Sequence, residues 1–300
     1  MRVFGIIITL LFFHFSSLSQ NKCVEMISDD NKPVQYVSVV FKKDRSVFVS
    51  NDKGYLCDKF VSKIKTGDTV LVTAIGFQNR ELVYSGNDTI VLQRRFVVLP
   101  EAVLVKGEGV KEIWGTKKNP GFFGLFGCRQ IFTEILSSTA RIIYPEGNYK
   151  KAEIVSVSFY DKTGKDINVP VRVRVYLIGK DSLPYADYLT ENLIVNTTGK
   201  GWLEVELKNR GLVFPKEGLA FGIELFATGD EYYYTEIRKT KTGKKVGDRV
   251  YGFSLAREKD TNALTMTKFQ TGSNNWYVER SGFGPYCGDL VCRVKVKVWR

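Results

Sequence analysis

Most of the chain consists of short stretches in which apolar and polar residues alternate. In the clearest stretch, Val169 to Leu177, apolar residues alternate with Arg172, Arg174 and Tyr176. A period of two places successive side chains on opposite faces, which is typical of a β-strand with one face toward a core. The same pattern recurs at residues 37–41, 155–159, 202–207, 219–225 and 294–299. The pattern therefore predicts an all-β protein.

The length of 300 residues fits about two domains of ordinary size. We predict a first β-sandwich over residues 23–105 and a second antiparallel sandwich or jelly roll over residues 128–300. Between them, residues 106–127 contain several glycines, which interrupt regular secondary structure. The segment also contains aromatic residues such as Trp114, which are too apolar for a solvent-exposed flexible linker. We expect this linker to be a loop packed onto the domains.

A turn signal stands inside the first predicted domain. Asn51, Asp52 and Gly54 separate the segments 47–49 and 55–60. These three residue types tolerate the positive φ of a tight turn, so the segment predicts a β-hairpin between the flanking strands.

The first domain contains, in order, the segments NDKGY, DTVLVTAIGFQNREL, NDTIVLQ and LPEAVLV. Together with Gly76 inside the second segment, they resemble the carboxypeptidase-regulatory-like domain. The resemblance implies a transthyretin-like β-sandwich of about seven strands. It departs from the family at the first strand, where KCVEM stands in place of the usual glycine. The family's common companions, a zinc peptidase or an outer-membrane receptor barrel, need histidines or several hundred further residues that this chain does not offer.

The second domain contains VRVRVYLIGKDSLPYADYL and then LIVNTTGKGWLEVELKNRGLVFPKEGLAFGIEL. This order is similar to that of a domain that follows regulatory-like domains in bacterial envelope proteins. Jelly-roll domains of this kind often bind carbohydrate, an analogy of fold that identifies no site.

The first residues read as a secretory signal peptide over residues 1–19, with one cation at Arg2 and an apolar run from Val3 to Phe15. A retained N-terminal anchor is the alternative. No later apolar run approaches the ~20 residues that span a membrane, so we expect no transmembrane segment. We expect an exported protein that is periplasmic, associated with the outer membrane or secreted.

The only histidine of the chain, His14, lies inside this signal peptide. Without imidazole, Ser-His-Asp and Cys-His catalysis and the common zinc sites are excluded. Carboxylate pairs stay open as a catalytic route. No catalytic motif or metal-binding spacing stands out, so we expect neither catalytic residues nor a metal or other cofactor.

The chain has five cysteines, and an exported protein meets oxidising conditions. The economical disulfide pairs are Cys23 with Cys57 and Cys287 with Cys292, although spacing alone does not fix the connectivity. Cys128 is then left over.

Aromatic residues of the second domain are the first candidates for a ligand surface, because exposed rings stack on sugars or pack against proteins. They are Trp202, Trp276, Tyr277 and Tyr233. The alternative is that these rings fill or cover the sandwich core.

Two arginines on one strand face, Arg172 and Arg174, are the second candidates, since guanidinium groups suit carboxylates and phosphates. The alternative is cross-strand ion pairing on an exposed sheet face. The formal net charge of +12 also permits nucleic acid as a partner, but export argues against it.

These patterns favour a non-catalytic, exported binding or interaction module whose partner is a glycan or an envelope protein. The alternatives are a carboxylate-dependent glycan hydrolase and a structural subunit of an envelope assembly.

Overall fold

We describe a computed structural model of the chain. It describes residues 22–96, 103–117, 129–131, 136–164, 167–197, 199–227, 229–239, 242–258, 264–269, 275–278 and 288–300. Within these ranges the chain is almost entirely β, which confirms the predicted fold class. The predicted signal peptide, residues 1–19, lies outside them.

The first sandwich packs two sheets face to face. Its strands are β1 Cys23–Ser28, β2 Ser38–Phe41, β3 Val47–Val49, β4 Tyr55–Cys57, β5 Thr69–Thr73, β6 Arg80–Val83 and β7 Thr89–Leu92. One sheet has the order β4-β1-β7 and the other β3-β2-β5-β6. All of these pairs are antiparallel except β1 with β7. The short helix α1, Lys59–Lys63, places Phe60 in the core between the sheets.

The predicted hairpin around Asn51 is wrong, because β3 and β4 belong to different sheets. The turn chemistry itself is present. Asn51 Oδ1 accepts hydrogen bonds from the backbone N–H groups of Lys53 and Tyr55 at 3.0 and 2.9 Å. Gly54 has a φ of +83°, and a Cβ there would lie 3.0 Å from the backbone oxygens of Met26 and Val34. The turn therefore packs on β1 and carries the chain from one sheet to the other.

The second sandwich also has two large sheets. Its strands are β8 Val110–Gly115, β9 Arg129–Ile131, β10 Ser137–Ile143, β11 Lys151–Asp161, β12 Pro170–Ile178, β13 Pro184–Asp187, β14 Leu193–Asn196, β15 Gly201–Glu206, β16 Leu219–Glu224, β17 Tyr233–Lys239, β18 Lys245–Tyr251, β19 Ser254–Glu258, β20 Leu264–Phe269, β21 Trp276–Val278, β22 Asp289–Leu290 and β23 Cys292–Trp299. Short 3-10 helices occupy Lys208–Arg210 and Asp230–Tyr232.

The front sheet has the order β13-β12-β16-β10-β20-β21, with β14 beside β12. The back sheet has the order β22-β19-β11-β23-β8, with β15 beside β11 and β9 beside β19. Strands β17 and β18 form a separate two-stranded ribbon. Alternating apolar residues of both sheets, such as Val173, Phe221, Phe159 and Val294, fill the core between them.

Strand β8 corrects the prediction of a loop for residues 106–127 over Val110–Gly115, whereas residues 118–127 lie outside the described residues. It pairs with β23 at the edge of the back sheet, and Trp114 lies opposite Val294. The Trp114 side chain is fully buried and packs edge-on against Phe214, with ring centroids 4.9 Å apart. Burial of this indole fixes the segment as a strand, although glycines surround it.

The two sandwiches pack against each other through an apolar cluster. Val40 and Leu71 of the first sandwich contact Leu136 and Phe226 of the second. The Tyr36 and Phe226 rings also meet edge-on at 5.6 Å. The outer face of β2 and β5 is therefore buried as well as the inner face, so the two sandwiches are held in a fixed arrangement.

In the part of the chain that the structure describes, no helix combines the length and apolar character of a membrane span.

Candidate functional site: the cleft between the sandwiches

A cleft of about 510 Å³ lies beside the interface of the two sandwiches. The first sandwich lines it with Thr73, Asn79 and Arg95, among others. The second sandwich contributes residues of the front sheet and of the loop before β13. Of the predicted binding residues, the cleft brings together Arg172, Arg174 and Trp276.

One row of residues, directly opposite one another on five neighbouring strands, crosses the front sheet toward this cleft. In order across the sheet, the row is Trp276, Lys268, Ser138, Glu224 and Arg172. Directly opposite residues of an antiparallel pair share a sheet face. The sheet register therefore gathers an indole, an ammonium, a hydroxyl, a carboxylate and a guanidinium on the face toward the first sandwich.

A buried ion-pair network forms one end of this row. Glu224 is fully buried and accepts hydrogen bonds from Arg172 Nη1 at 2.5 Å, from Ser138 Oγ at 3.1 Å and from Arg174 Nη1. Arg174 also donates from Nε and Nη2 to the two carboxylate oxygens of Asp187, each at 2.7 Å. Arg172 Nη2 donates to the backbone oxygen of Tyr36 in the first sandwich at 2.7 Å.

The network keeps its charges in spite of burial. Burial alone would raise the pKa of the Glu224 carboxyl, but Arg174 and Arg172 hold this pKa below its usual value. Burial likewise opposes the charge of Arg174, yet Asp187 and Glu224 raise its pKa well above the usual value. The four side chains thus form a compensated charge cluster whose geometry is fixed by both sandwiches.

This finding corrects the expectation for Arg172 and Arg174. The alternative to ligand binding was cross-strand ion pairing on an exposed face; the pairing is present, but the face is buried. The first sandwich covers it, which the alternation of β12 does not reveal. Both guanidinium groups are engaged by protein carboxylates, so neither is a ready anion-binding group.

Two other cations line the cleft, Lys268 and Arg95, and neither was among the predicted binding residues. Lys268 is half-buried and Arg95 is exposed. Within the described ranges, neither makes an ion pair with a carboxylate. In β20, Leu264, Met266 and Lys268 share one face of the strand because they alternate with the residues between them. Only the fold shows that this face borders a cleft.

Trp276 is the aromatic candidate that lies in the cleft. Its ring is half-buried and meets the Tyr176 ring edge-on, with centroids 5.0 Å apart. The Lys268 ammonium is 5.8 Å from the indole centroid. Trp276 also packs against the apolar cluster that contains Met266. These contacts hold the indole in one orientation at the cleft wall.

The other three aromatic candidates lie elsewhere. Trp202 is on the outer face of the back sheet, where the Arg293 guanidinium covers its ring at 3.9 Å. Tyr233 packs half-buried against the core, with Arg249 over its ring at 4.0 Å. Tyr277 is half-exposed and points away from the cleft, because it alternates with Trp276.

The cysteines lie away from the cleft. Cys23 and Cys57 are joined by a disulfide between directly opposite positions of β1 and β4, as one of the economical pairs requires. Cys292 is a buried free cysteine, whereas Cys287 and Cys128 lie outside the described residues. Among the described residues, no group of three or more His, Cys, Asp or Glu side chains has the arrangement of a metal site.

No protein-family model matches the chain, and no curated protein matches it either. The resemblance of the first sandwich to the carboxypeptidase-regulatory-like domain therefore stays a prediction.

Proposed function

We propose that this protein is an exported, non-catalytic binding module that holds a glycan in the cleft between its two sandwiches. The observation that carries the proposal is the position of Trp276, an oriented indole in the wall of a cleft whose accessible surface is mostly polar.

The lining suits a saccharide. Asn79 and Asn275 offer amide groups for hydrogen bonds with sugar hydroxyls. The flat indole of Trp276 offers apolar area for the C–H face of a sugar ring. Polar groups that fix the orientation of a ligand beside an apolar surface are a common feature of small-ligand sites.

The cleft is preformed, which favours binding without a large loss of conformational freedom. Asn192 Nδ2 donates to the Gln35 backbone oxygen at 3.0 Å, and Arg172 bonds to that of Tyr36, so both contacts tie the sandwiches together. Gly76 approaches Thr190 so closely that a Cβ on it would lie 2.5 Å from the Thr190 backbone oxygen.

The carboxylates support a non-catalytic function. A glycosidase needs a protonated carboxylic acid and a second carboxylate on opposite sides of the scissile bond. Asp187 is engaged by both Nε and Nη2 of Arg174, and Glu224 is buried beneath two guanidinium groups that lower its pKa. Asp181 is the other carboxylate among the described cleft residues, and its Oδ1 accepts the Leu183 backbone N–H at 3.0 Å.

The disulfide between Cys23 and Cys57 supports export, because such bonds persist in oxidising compartments.

The test is a glycan array probed with the chain that lacks residues 1–19, run beside a pull-down from envelope extract and a reducing-sugar assay. The proposal predicts array binding without sugar release. Release of sugars would favour the hydrolase. A blank array with capture of an envelope protein would favour a structural subunit, and either result would overturn the proposal.

A further inference from the structure

We infer that the glycan in this cleft is acidic, and that its anionic substituents, carboxylate or sulfate, pair with Lys268 and Arg95. This inference rests on the proposed function and names the class of glycan.

The four cations that line the cleft are not equivalent. Glu224 and Asp187 neutralise Arg172 and Arg174. Arg172 pairs with Glu224 at 2.5 Å, and Arg174 pairs with Asp187 at 2.7 Å and also contacts Glu224. A ligand anion would have to displace these carboxylates to reach them. The electrostatic preference of the cleft is therefore set by the cations outside the network.

Lys268 is the first of these. Its side chain is half-buried, and its ammonium lies 5.8 Å from the centroid of the Trp276 indole. Burial lowers the pKa of the Lys268 ammonium, and the Arg174 and Arg95 charges lower it further, while the carboxylates of Glu224 and Asp187 offset only part of this effect. An anionic ligand group beside Lys268 would relieve both effects.

Arg95 is the second. It belongs to the first sandwich and reaches across to the second, where Nη2 donates to the Tyr185 backbone oxygen at 3.3 Å. This contact places a guanidinium at the cleft wall, and its other N–H groups donate to no residue in the part of the chain that the structure describes. Guanidinium groups bind carboxylate and sulfate-like oxygens with two donors at once.

Charge of the opposite sign is scarce here. Outside the buried network, the carboxylate among the described cleft residues is the exposed Asp181, against the two cations Lys268 and Arg95. The Trp276 indole beside Lys268 places a sugar-stacking surface next to the cation. A sugar ring on this indole would carry its acidic substituent toward Lys268.

Four tetrasaccharide probes test the inference by titration calorimetry: tetragalacturonate, its carboxyl-reduced neutral form, a sulfated carrageenan oligosaccharide and its desulfated form. At least one acidic probe is expected to bind at least 10-fold more tightly than its neutral form. Its affinity should fall when the salt concentration rises from about 0.05 to about 0.5 M, because salt screens the attraction between the ligand and the cleft charges. The carboxylate and sulfate arms identify which substituent is bound.

Variants connect the preference to the two residues. Lys268→Met keeps the aliphatic stem and removes the charge, and Arg95→Gln removes the other cation. Each should reduce the preference for the acidic probe by about 5-fold or more, which is ~1 kcal/mol. The matched controls are Lys208→Met, an exposed lysine, and Arg94→Gln, whose side chain pairs with Asp30. These controls should bind like the wild type.

Equal affinity for acidic and neutral forms would overturn the inference and leave the glycan-binding proposal standing. Binding of none of the four probes would overturn the inference, while the glycan array judges the proposed function separately. An acidic preference unchanged in both cleft variants would also contradict it.

Discussion

Arg172 of the second sandwich donates one hydrogen bond to Glu224 on the neighbouring strand at 2.5 Å and another to the Tyr36 backbone oxygen of the first sandwich at 2.7 Å. One guanidinium thus joins the charge network of the front sheet to the opposite domain. The site beside it exists because this contact and the apolar cluster hold the sandwiches together. Substitutions in these contacts therefore test the structure of the cleft independently of its ligand.

Replacing Glu224 by Gln should destabilise the protein by ~3 to 5 kcal/mol. The substitution leaves Arg172 without its carboxylate partner and Arg174 paired with Asp187 alone, and an uncompensated buried charge is strongly unfavourable. Urea denaturation of the variant measures this loss. Glu206→Gln, on an exposed strand position, is the control and should change the free energy of unfolding by less than ~0.5 kcal/mol. A loss as small as the control's would show that the network does not stabilise the fold.

The same pair of proteins gives a pH dependence. The folded pKa of Glu224 is lowered from its usual 4.5, so its contribution is complete above that value and is lost as the pH falls through the folded pKa. The difference in unfolding free energy between wild type and Glu224→Gln should therefore be constant from pH 6 to 8 and shrink below about pH 4. Denaturation curves at a series of pH values measure it. A difference that grows on acidification would contradict the ion-pair account.

Gly76 should tolerate no side chain. Its φ is +82°, and a Cβ would lie 2.5 Å from the Thr190 backbone oxygen across the domain interface. Gly67 has a similar φ of +93° with no atom within 4 Å of such a Cβ. Gly67→Ala should thus lose only the ~1 to 2 kcal/mol of backbone strain, and Gly76→Ala clearly more. Thermal denaturation compares the two, and equal losses would mean that the domains do not meet at Gly76.

The disulfide of the first sandwich should contribute ~3 to 4 kcal/mol, because it closes a loop with a sequence separation of 34. Replacing Cys23 and Cys57 together by Ser should lower the unfolding free energy by that amount. Peptide mass mapping after alkylation supplies the check on connectivity.

Burial raises the pKa of the Cys292 thiol to about 12, so this cysteine should stay unlabelled until the protein unfolds. Rapid labelling of Cys23 in the native, oxidised protein would refute the assignment.

The all-β class was predictable because a strand with one buried face shows a strict alternation of apolar and polar residues in the sequence. Strand β12 shows both the strength and the limit of this reading. Its valines face the core as expected. Its arginines lie on the opposite face, and alternation alone reads such a face as exposed. They are buried because a second domain covers them, and the sequence of one strand carries no signal of that cover.

The residues of the site were predictable only in part, because the sequence shows residue types but not which strands are neighbours. Residue type pointed to Trp276, Arg172 and Arg174, since aromatic and guanidinium groups bind ligands. Sheet register decides which of them meet, and it places Lys268 between Trp276 and Ser138. Trp202 has the same residue type but sits under Arg293 on the back sheet. The pairing of distant strands is a long-range property that local patterns do not contain.

The two tryptophans offer the most direct test of the claim that the cleft binds the glycan. Trp276→Ala and Trp202→Ala each remove a half-buried indole that has a cation near its ring. Thermal denaturation first establishes that both variants fold. Calorimetric titration with the tightest glycan of the array should then show an affinity at least 10-fold lower for Trp276→Ala, about 1.4 kcal/mol, and within 2-fold of wild type for Trp202→Ala. Unchanged affinity in a folded Trp276→Ala variant, or a loss confined to Trp202→Ala, would contradict the account.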